Sequence, residues 1–145
     1  MPLEIVVATG PLLDDWRSIH NTVIPTAPLS APEVAERATR NRLTLAFASG
    51  VLVGNATVRP PVEPDRVATV IVRILPEHRR RGLGSAYFEA ELAHARSRGA
   101  TRIETVVLES NEDGLSFALA HGFLEHDRYL LDAYSAAFIE LHLPT

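Results

Sequence analysis

The chain contains no cysteine and no lysine. Without cysteine there is no disulfide framework, no thiolate nucleophile and no cysteine-ligated metal. Without lysine, all 14 cationic side chains are arginines, and a Walker-type phosphate loop, which needs a lysine after its glycine, is excluded. No apolar run approaches the roughly 18 residues that a membrane-spanning helix requires, so no membrane association is expected. The start Met1-Pro2-Leu3-Glu4 lacks the basic, then apolar, then small-residue order of a signal peptide, and a cytoplasmic protein is expected. A net charge of -4, with no broad basic face, argues against nucleic acid as a partner.

What is present suits one domain spanning residues 1–145, long enough to bury a single core. Leu3 to Ala8 reads as a β-branched first strand. Leu12, Leu13, Trp16, Ile19, His20 and Val23 recur at helical spacing and stop before Pro25. Ser30 and Glu33 have capping-box spacing, with Pro32 in the first turn, and predict a second helix to about Arg40. Leu43 to Ala48 and Val51 to Val58, joined by Ser49-Gly50, predict a hairpin. Arg59 to Asp65 holds three prolines and reads as a loop. Val67 to Leu75 is the most strand-like stretch, and Pro76 ends it. A helix from Leu83 to Arg98 stopped by Gly99, a strand from Ile103 to Leu108 and a short helix from Asp113 to His121 follow. Phe123 to Leu131 and Ala137 to Leu143 read as a closing pair of strands. The order β-α-α-β-β-β-α-β-α-β-β implies an α+β, or mixed α/β, domain with helices packed on a central sheet.

The stretch Ile74-Leu75-Pro76-Glu77-His78-Arg79-Arg80-Arg81-Gly82-Leu83-Gly84-Ser85 carries the chemistry. A strand feeds a sharp turn, with glycines where a helix begins. Backbone N–H groups there lack intrahelical partners, and the helix dipole adds partial positive charge, an arrangement that binds phosphate. A dinucleotide-binding Rossmann turn needs a third glycine, which Ala86 or Tyr87 does not supply. Taken alone, the turn reads either as a phosphate site or as a solvated basic turn capping an ordinary helix.

Arg79-x-x-Gly82-x-Gly84, preceded by Pro76-Glu77-His78 where Pro-Glu-Tyr is usual, resembles the pyrophosphate signature of the GNAT acyltransferase superfamily. Asn111, followed eleven residues later by Gly122-Phe123, resembles that superfamily's fourth-helix segment. The resemblance covers nearly the whole chain. It implies a mostly antiparallel, mixed sheet of about seven strands, splayed between the fourth and fifth, with four flanking helices. It also implies acetyl-CoA or another acyl-CoA as co-substrate and a small-molecule primary amine as acceptor. Pantetheine would add like a strand to the backbone of Val72, Arg73 and Ile74. The Ile74 N–H would polarise the thioester carbonyl. The N–H groups of Arg81, Gly82, Leu83, Gly84 and Ser85, with the Arg79 and Arg80 side chains, would hold the pyrophosphate, and Asn111 would bond the pantetheine arm.

The sequence departs from the family where catalysis usually draws its acid and base. Ala118 occupies the position at which many relatives carry a tyrosine that protonates the leaving thiolate. No carboxylate lies within Val67 to Leu75, which leaves Glu109 as the candidate base at the end of the fifth strand. Glu104 reads as the polar face of that strand, and Phe117 as core. No His, Asp or Glu set has metal-ligand spacing, so no metal is expected. Trp16, His20, Asn21 and the loop from Arg59 to Asp65 fall on the acceptor side, while Tyr129 and Tyr134 belong to the closing hairpin. The apolar closing strands leave an edge to be covered, which points to a homodimer. The rival reading is a non-catalytic domain that binds acyl-CoA.

Overall fold

The computed structural model describes residues 3–130 and 137–144; Leu131 and Tyr134 lie outside them. Its strands are β1 (Leu3–Val7), β2 (Arg42–Ala48), β3 (Val51–Val62), β4 (Val67–Ile74), β5 (Arg102–Leu108), β6 (Leu124–Tyr129) and β7 (Phe138–Leu143). Its helices are α1 (Leu12–Val23), α2 (Ala31–Ala38), α3 (Leu83–Ser97) and α4 (Glu112–Ala120). A short 3-10 turn at Pro76–His78 follows β4. The capping box forms as expected: Ser30 Oγ accepts from the Glu33 N–H, and the Glu33 carboxylate accepts from the Ser30 N–H.

The strands form one sheet in the order β1-β2-β3-β4-β5-β7-β6. Every pairing is antiparallel except β4 with β5. That parallel pairing spans only Val67–Thr69 against Arg102–Glu104. Beyond it, β4 stays paired with β3 through Ile74 and β5 with β7 through Leu108. The two halves of the sheet therefore diverge, and a wedge opens between β4 and β5.

Each face of the sheet buries a different set of helices. On one face, Trp16 and Ile19 of α1 and Val34 of α2 pack on Leu43 and Leu45. On the other, Phe88, Leu92 and Ala95 of α3 and Ala118 of α4 pack on Val70, Ile103, Val107, Ile139 and Leu141. Side chains alternate along a strand, so Ile71 and Arg73 of β4, like Val106 and Leu108 of β5, point to the α1 face.

One expected loop is strand. β3 continues through Val62, carrying Pro60 and Pro61, where Arg59 to Asp65 reads as loop from composition. Beyond Val58, β3 has no partner in β2, and its register with β4 shifts between Arg59 and Val62. Both prolines sit in that irregular, one-sided stretch, where a missing N–H breaks no ladder.

His20, on the buried side of α1, is 5% exposed. Its Nε2 faces the Ala27 carbonyl at 3.1 Å, and its ring stacks on Trp16 with centroids 5.7 Å apart. Burial, reinforced by the Arg73 charge, lowers its pKa to about 4. The unfolded chain, with a histidine near 6.5, thus binds more protons between those values, and stability falls as pH drops through that window. The expected loss from His20 is roughly 3 kcal/mol by pH 4. Urea denaturation at pH 7, 5.5 and 4 should show a shallower pH slope in His20→Gln than in wild type. Equal slopes would show that His20 is not the cause.

Candidate active site

The cleft begins where the β4 ladder leaves an edge unsatisfied. The Leu75 N–H bonds the Val53 carbonyl at 2.8 Å, so N–H groups at alternate positions, including that of Arg73, also face β3. Those of Val72 and Ile74 point the other way, into the wedge, beyond the last β4–β5 pair. The Arg79 Nε donates to the Ile74 carbonyl at 2.9 Å, and its Nη1 donates to Asp113 at 2.7 Å. Arg79 thus ties the end of β4 to the first turn of α4 across the mouth of the wedge. Asp113 is a partner that no sequence spacing announces.

The other wall of the mouth is the start of α3. Its N-cap, Gly82, has φ +75°, which an L residue adopts only under strain, and Arg80 before it has φ +62°. No side chain caps α3 and no acid lies in its first turn. The first intrahelical bond is donated by Ala86, to Gly82 at 3.2 Å. The N–H groups of Leu83, Gly84 and Ser85 are therefore the orphan donors of the helix. The other helices differ. α2 and α4 are capped by Ser30 and Asn111, and α1 has Asp14 and Asp15 in its first turn. Among the described helices, α3 alone presents an uncapped terminus without a carboxylate. Gly84 also sets a close contact: a Cβ there would meet the Phe117 ring at 3.1 Å.

These parts share one cleft of about 520 Å³, a size suited to a small-molecule ligand. Val72, Arg73, Ile74, Arg79, Arg80, Gly82, Gly84, Ser85 and Asn111 all line it, whereas Arg81 and Leu83 do not. Arg73 lines it through its side chain, since its backbone N–H faces β3. The Ser85 hydroxyl pairs with His121 Nε2 at 3.0 Å, and His121 Nδ1 donates to the Phe117 carbonyl at 2.9 Å. Asn111 uses Oδ1 to cap α4, accepting from the Gly114 N–H at 3.1 Å. Phe117 lines the cleft as well as packing on Phe88.

Glu109 is not in that lining. Its carboxylate is 51% exposed and pairs with Arg128 at 3.3 Å. Among the described residues, the lining holds no histidine, tyrosine or glutamate, and its one carboxylate, Asp113, is bound to Arg79. The buried Ala118 lines the cleft at the position noted in the sequence.

Metal-type donors do converge elsewhere, through strand pairing that linear spacing does not reveal. His126 of β6 meets Glu140 and His142 of β7 with donor atoms within 4.8 Å of one another. His142 Nε2 lies 2.9 Å from Glu140 and 3.3 Å from Glu104, and the two histidine rings stack 4.0 Å apart. This cluster lies on the sheet face away from α3, outside the cleft lining.

A mixed seven-stranded sheet, opened between its one parallel pair and flanked by four helices, is the GNAT fold. Residues 11–123 match the Acetyltransferase (GNAT) family, and the chain belongs to it. No curated protein matches the sequence. Among solved structures it is similar to the ribosomal-protein-S18-alanine N-acetyltransferase from Escherichia coli (TM-score 0.76, 21% identity, 99% of this chain and 94% of that one). It is also similar to a Bacillus subtilis acetyltransferase in complex with CoA (0.74, 17%, 99% and 99%). A GNAT family acetyltransferase from Elizabethkingia anophelis with acetyl-CoA bound is a third (0.71, 13%, 99% and 98%).

Proposed function

We propose that the protein is an N-acetyltransferase that moves an acetyl group from acetyl-CoA to a primary amine by direct attack. One observation carries the reading: the uncapped, acid-free N-terminus of α3 opens into the same cleft as the unpaired edge of β4. Phosphate suits the first and an extended pantetheine arm the second. When bound, acetyl-CoA supplies the activated acyl group, whose transfer forms an amide and releases the CoA thiol.

On this reading the N–H groups from Arg81 to Ser85 hold the pyrophosphate with Arg80, and Arg79 holds the turn in place through Ile74 and Asp113. The Val72 and Ile74 N–H groups align the arm. The Ile74 N–H also stabilises the negative charge that builds on the acyl oxygen as the amine attacks. Asn111 keeps its Nδ2 for the arm while Oδ1 caps α4. No side chain of the described lining is placed as a general base, so the amine arrives already deprotonated and its proton leaves to solvent. The reading takes residues 1–145 as one domain acting in the cytoplasm without a metal. Homodimerisation would use β6, which is one of the two edge strands of the sheet and exposed along its length.

A second reading, a non-catalytic acyl-CoA-binding domain, is favoured by Ala118 and by the same lack of acid and base. The test is product detection by mass spectrometry after incubation with acetyl-CoA and a panel of primary amines. Acetylated amine supports the enzyme; tight CoA binding without product supports the binding domain.

A further inference from the structure

Arg73 is 7% exposed and lines the cleft on the α1 face. Its Nη1 donates to Asn55 Oδ1 at 3.2 Å, Asn55 Nδ2 donates to the Trp16 carbonyl at 2.8 Å, and the guanidinium lies 5.5 Å from the Trp16 ring centroid. These contacts fix the side chain without neutralising it. Its Nε is buried with no hydrogen-bond partner, and among the described residues no carboxylate pairs with it. The charged groups that act on it include Arg37 and Arg59, both cationic. Buried charges are ordinarily paired, because an unpaired one forfeits its hydration without compensation. An arginine held this way is a site for an anion that the protein itself does not supply.

The position of Arg73 says which anion. Ile74, the next residue, directs its N–H into the wedge, while the Arg73 side chain lies on the far face. The rest of the cleft wall there is apolar: Val23, Ile24, Ile71, Val106 and Leu108. A molecule entering from the α1 face therefore meets one buried cation set among aliphatic side chains before it reaches the Ile74 N–H. The phosphate-binding features lie at the opposite mouth, at the start of α3. We infer that Arg73 binds the carboxylate of the acceptor, so that the acceptor is a primary amine bearing a carboxylate and an apolar body, of the apolar α-amino-acid class. The inference rests on the acetyltransferase reading for where the amine must sit.

Trp16 is the sole tryptophan of the chain, and it touches Arg73, so its fluorescence reports on this subsite independently of turnover. The probes are L-leucine and L-methionine, each against its own carboxamide, which keeps the amine and side chain and removes the charge. Wild type should respond to the carboxylates at concentrations about tenfold or more below the amides, the effect of one charge-assisted pair. Arg73→Met should bring that ratio to about one, and Arg73→Lys should retain part of it. CoA release is measured on the same pairs. A carboxylate preference seen in fluorescence but without CoA release would uphold the subsite and remove the transferase. Acids and amides that act alike on wild type, or that both leave Trp16 unchanged, would overturn the inference even if other amines are acetylated. Should Arg73→Met lose its fold, the wild-type pairs and Arg73→Lys still decide.

Discussion

A Gly82→Asp variant is expected to remain folded and to lose CoA affinity by about 100-fold or more. Gly82 has φ +75°, and a Cβ placed there meets nothing within 4 Å, so the cost is backbone strain of about 1–2 kcal/mol without a clash. A carboxylate beside the orphan N–H groups of α3 offsets part of that strain by acting as a cap. The same carboxylate occupies the donors that the proposed reading assigns to phosphate and repels its charge. Losing two charge-assisted hydrogen bonds, at about 1.5–3 kcal/mol each, accounts for the expected fall. Gly82→Ala carries the strain without the charge and should lose less than tenfold. Calorimetry on both variants separates the two causes, and wild-type CoA affinity in Gly82→Asp would remove α3 from the phosphate site.

The second large effect concerns what holds α3 in place. Glu91, on the buried side of that helix, is 0% exposed. Its carboxylate accepts from Arg42 Nε at 3.1 Å and from the Thr44 hydroxyl, which in turn accepts a hydrogen bond from the Tyr87 hydroxyl. Burial raises the Tyr87 pKa, so this phenol stays a donor. Arg42→Met would strand the Glu91 charge between helix and sheet, at a cost of about 3–5 kcal/mol. For a chain of this length the melting temperature should drop by roughly 10 °C. Replacing both residues, Arg42→Met with Glu91→Leu, should recover much of the loss, because the stranded charge is then gone. A single variant melting within 2 °C of wild type, on the order of the scatter expected from a surface change, would show that the pair is not structural.

Much of this architecture is legible in the sequence, for reasons that can be stated residue by residue. The α2 boundary is written in Ser30, Pro32 and Glu33, and that of α3 in the change from arginine and glycine to helix formers after Gly82. The cleft mouth follows from the same turn, since glycine and arginine at a helix start leave local evidence. Long-range facts leave none. The pairing of Arg79 with Asp113 spans 34 positions, and that of Glu109 with Arg128 turns a candidate base toward the surface. Pro60 and Pro61 read as loop because composition cannot show that β3 has lost its second neighbour there. His126, Glu140 and His142 meet only because β6 and β7 pair. Arg73, placed in the sequence as part of a pantetheine-binding backbone, turns out to offer its side chain to the opposite face.

Among the described lining residues the one carboxylate, Asp113, is held by Arg79 and none is placed as a general acid or base, which on the proposed reading shapes the expected rate. A thiol with pKa near 8.5 is a tolerable leaving group without full protonation, and a positioned acid is typically worth about 10²–10⁴-fold, so its loss slows the reaction without forbidding it. Alignment of amine and thioester and the Ile74 N–H remain. The direct measurement is the rate of CoA release from acetyl-CoA by wild type and by Gly82→Asp, with several primary amines, at pH 7 and pH 9. The account predicts slow, amine-dependent release by wild type that rises between the two pH values as the amine loses its proton, and none above background from the variant. Release no faster in wild type than in the variant at either pH would contradict it and leave an acyl-CoA-binding domain in its place.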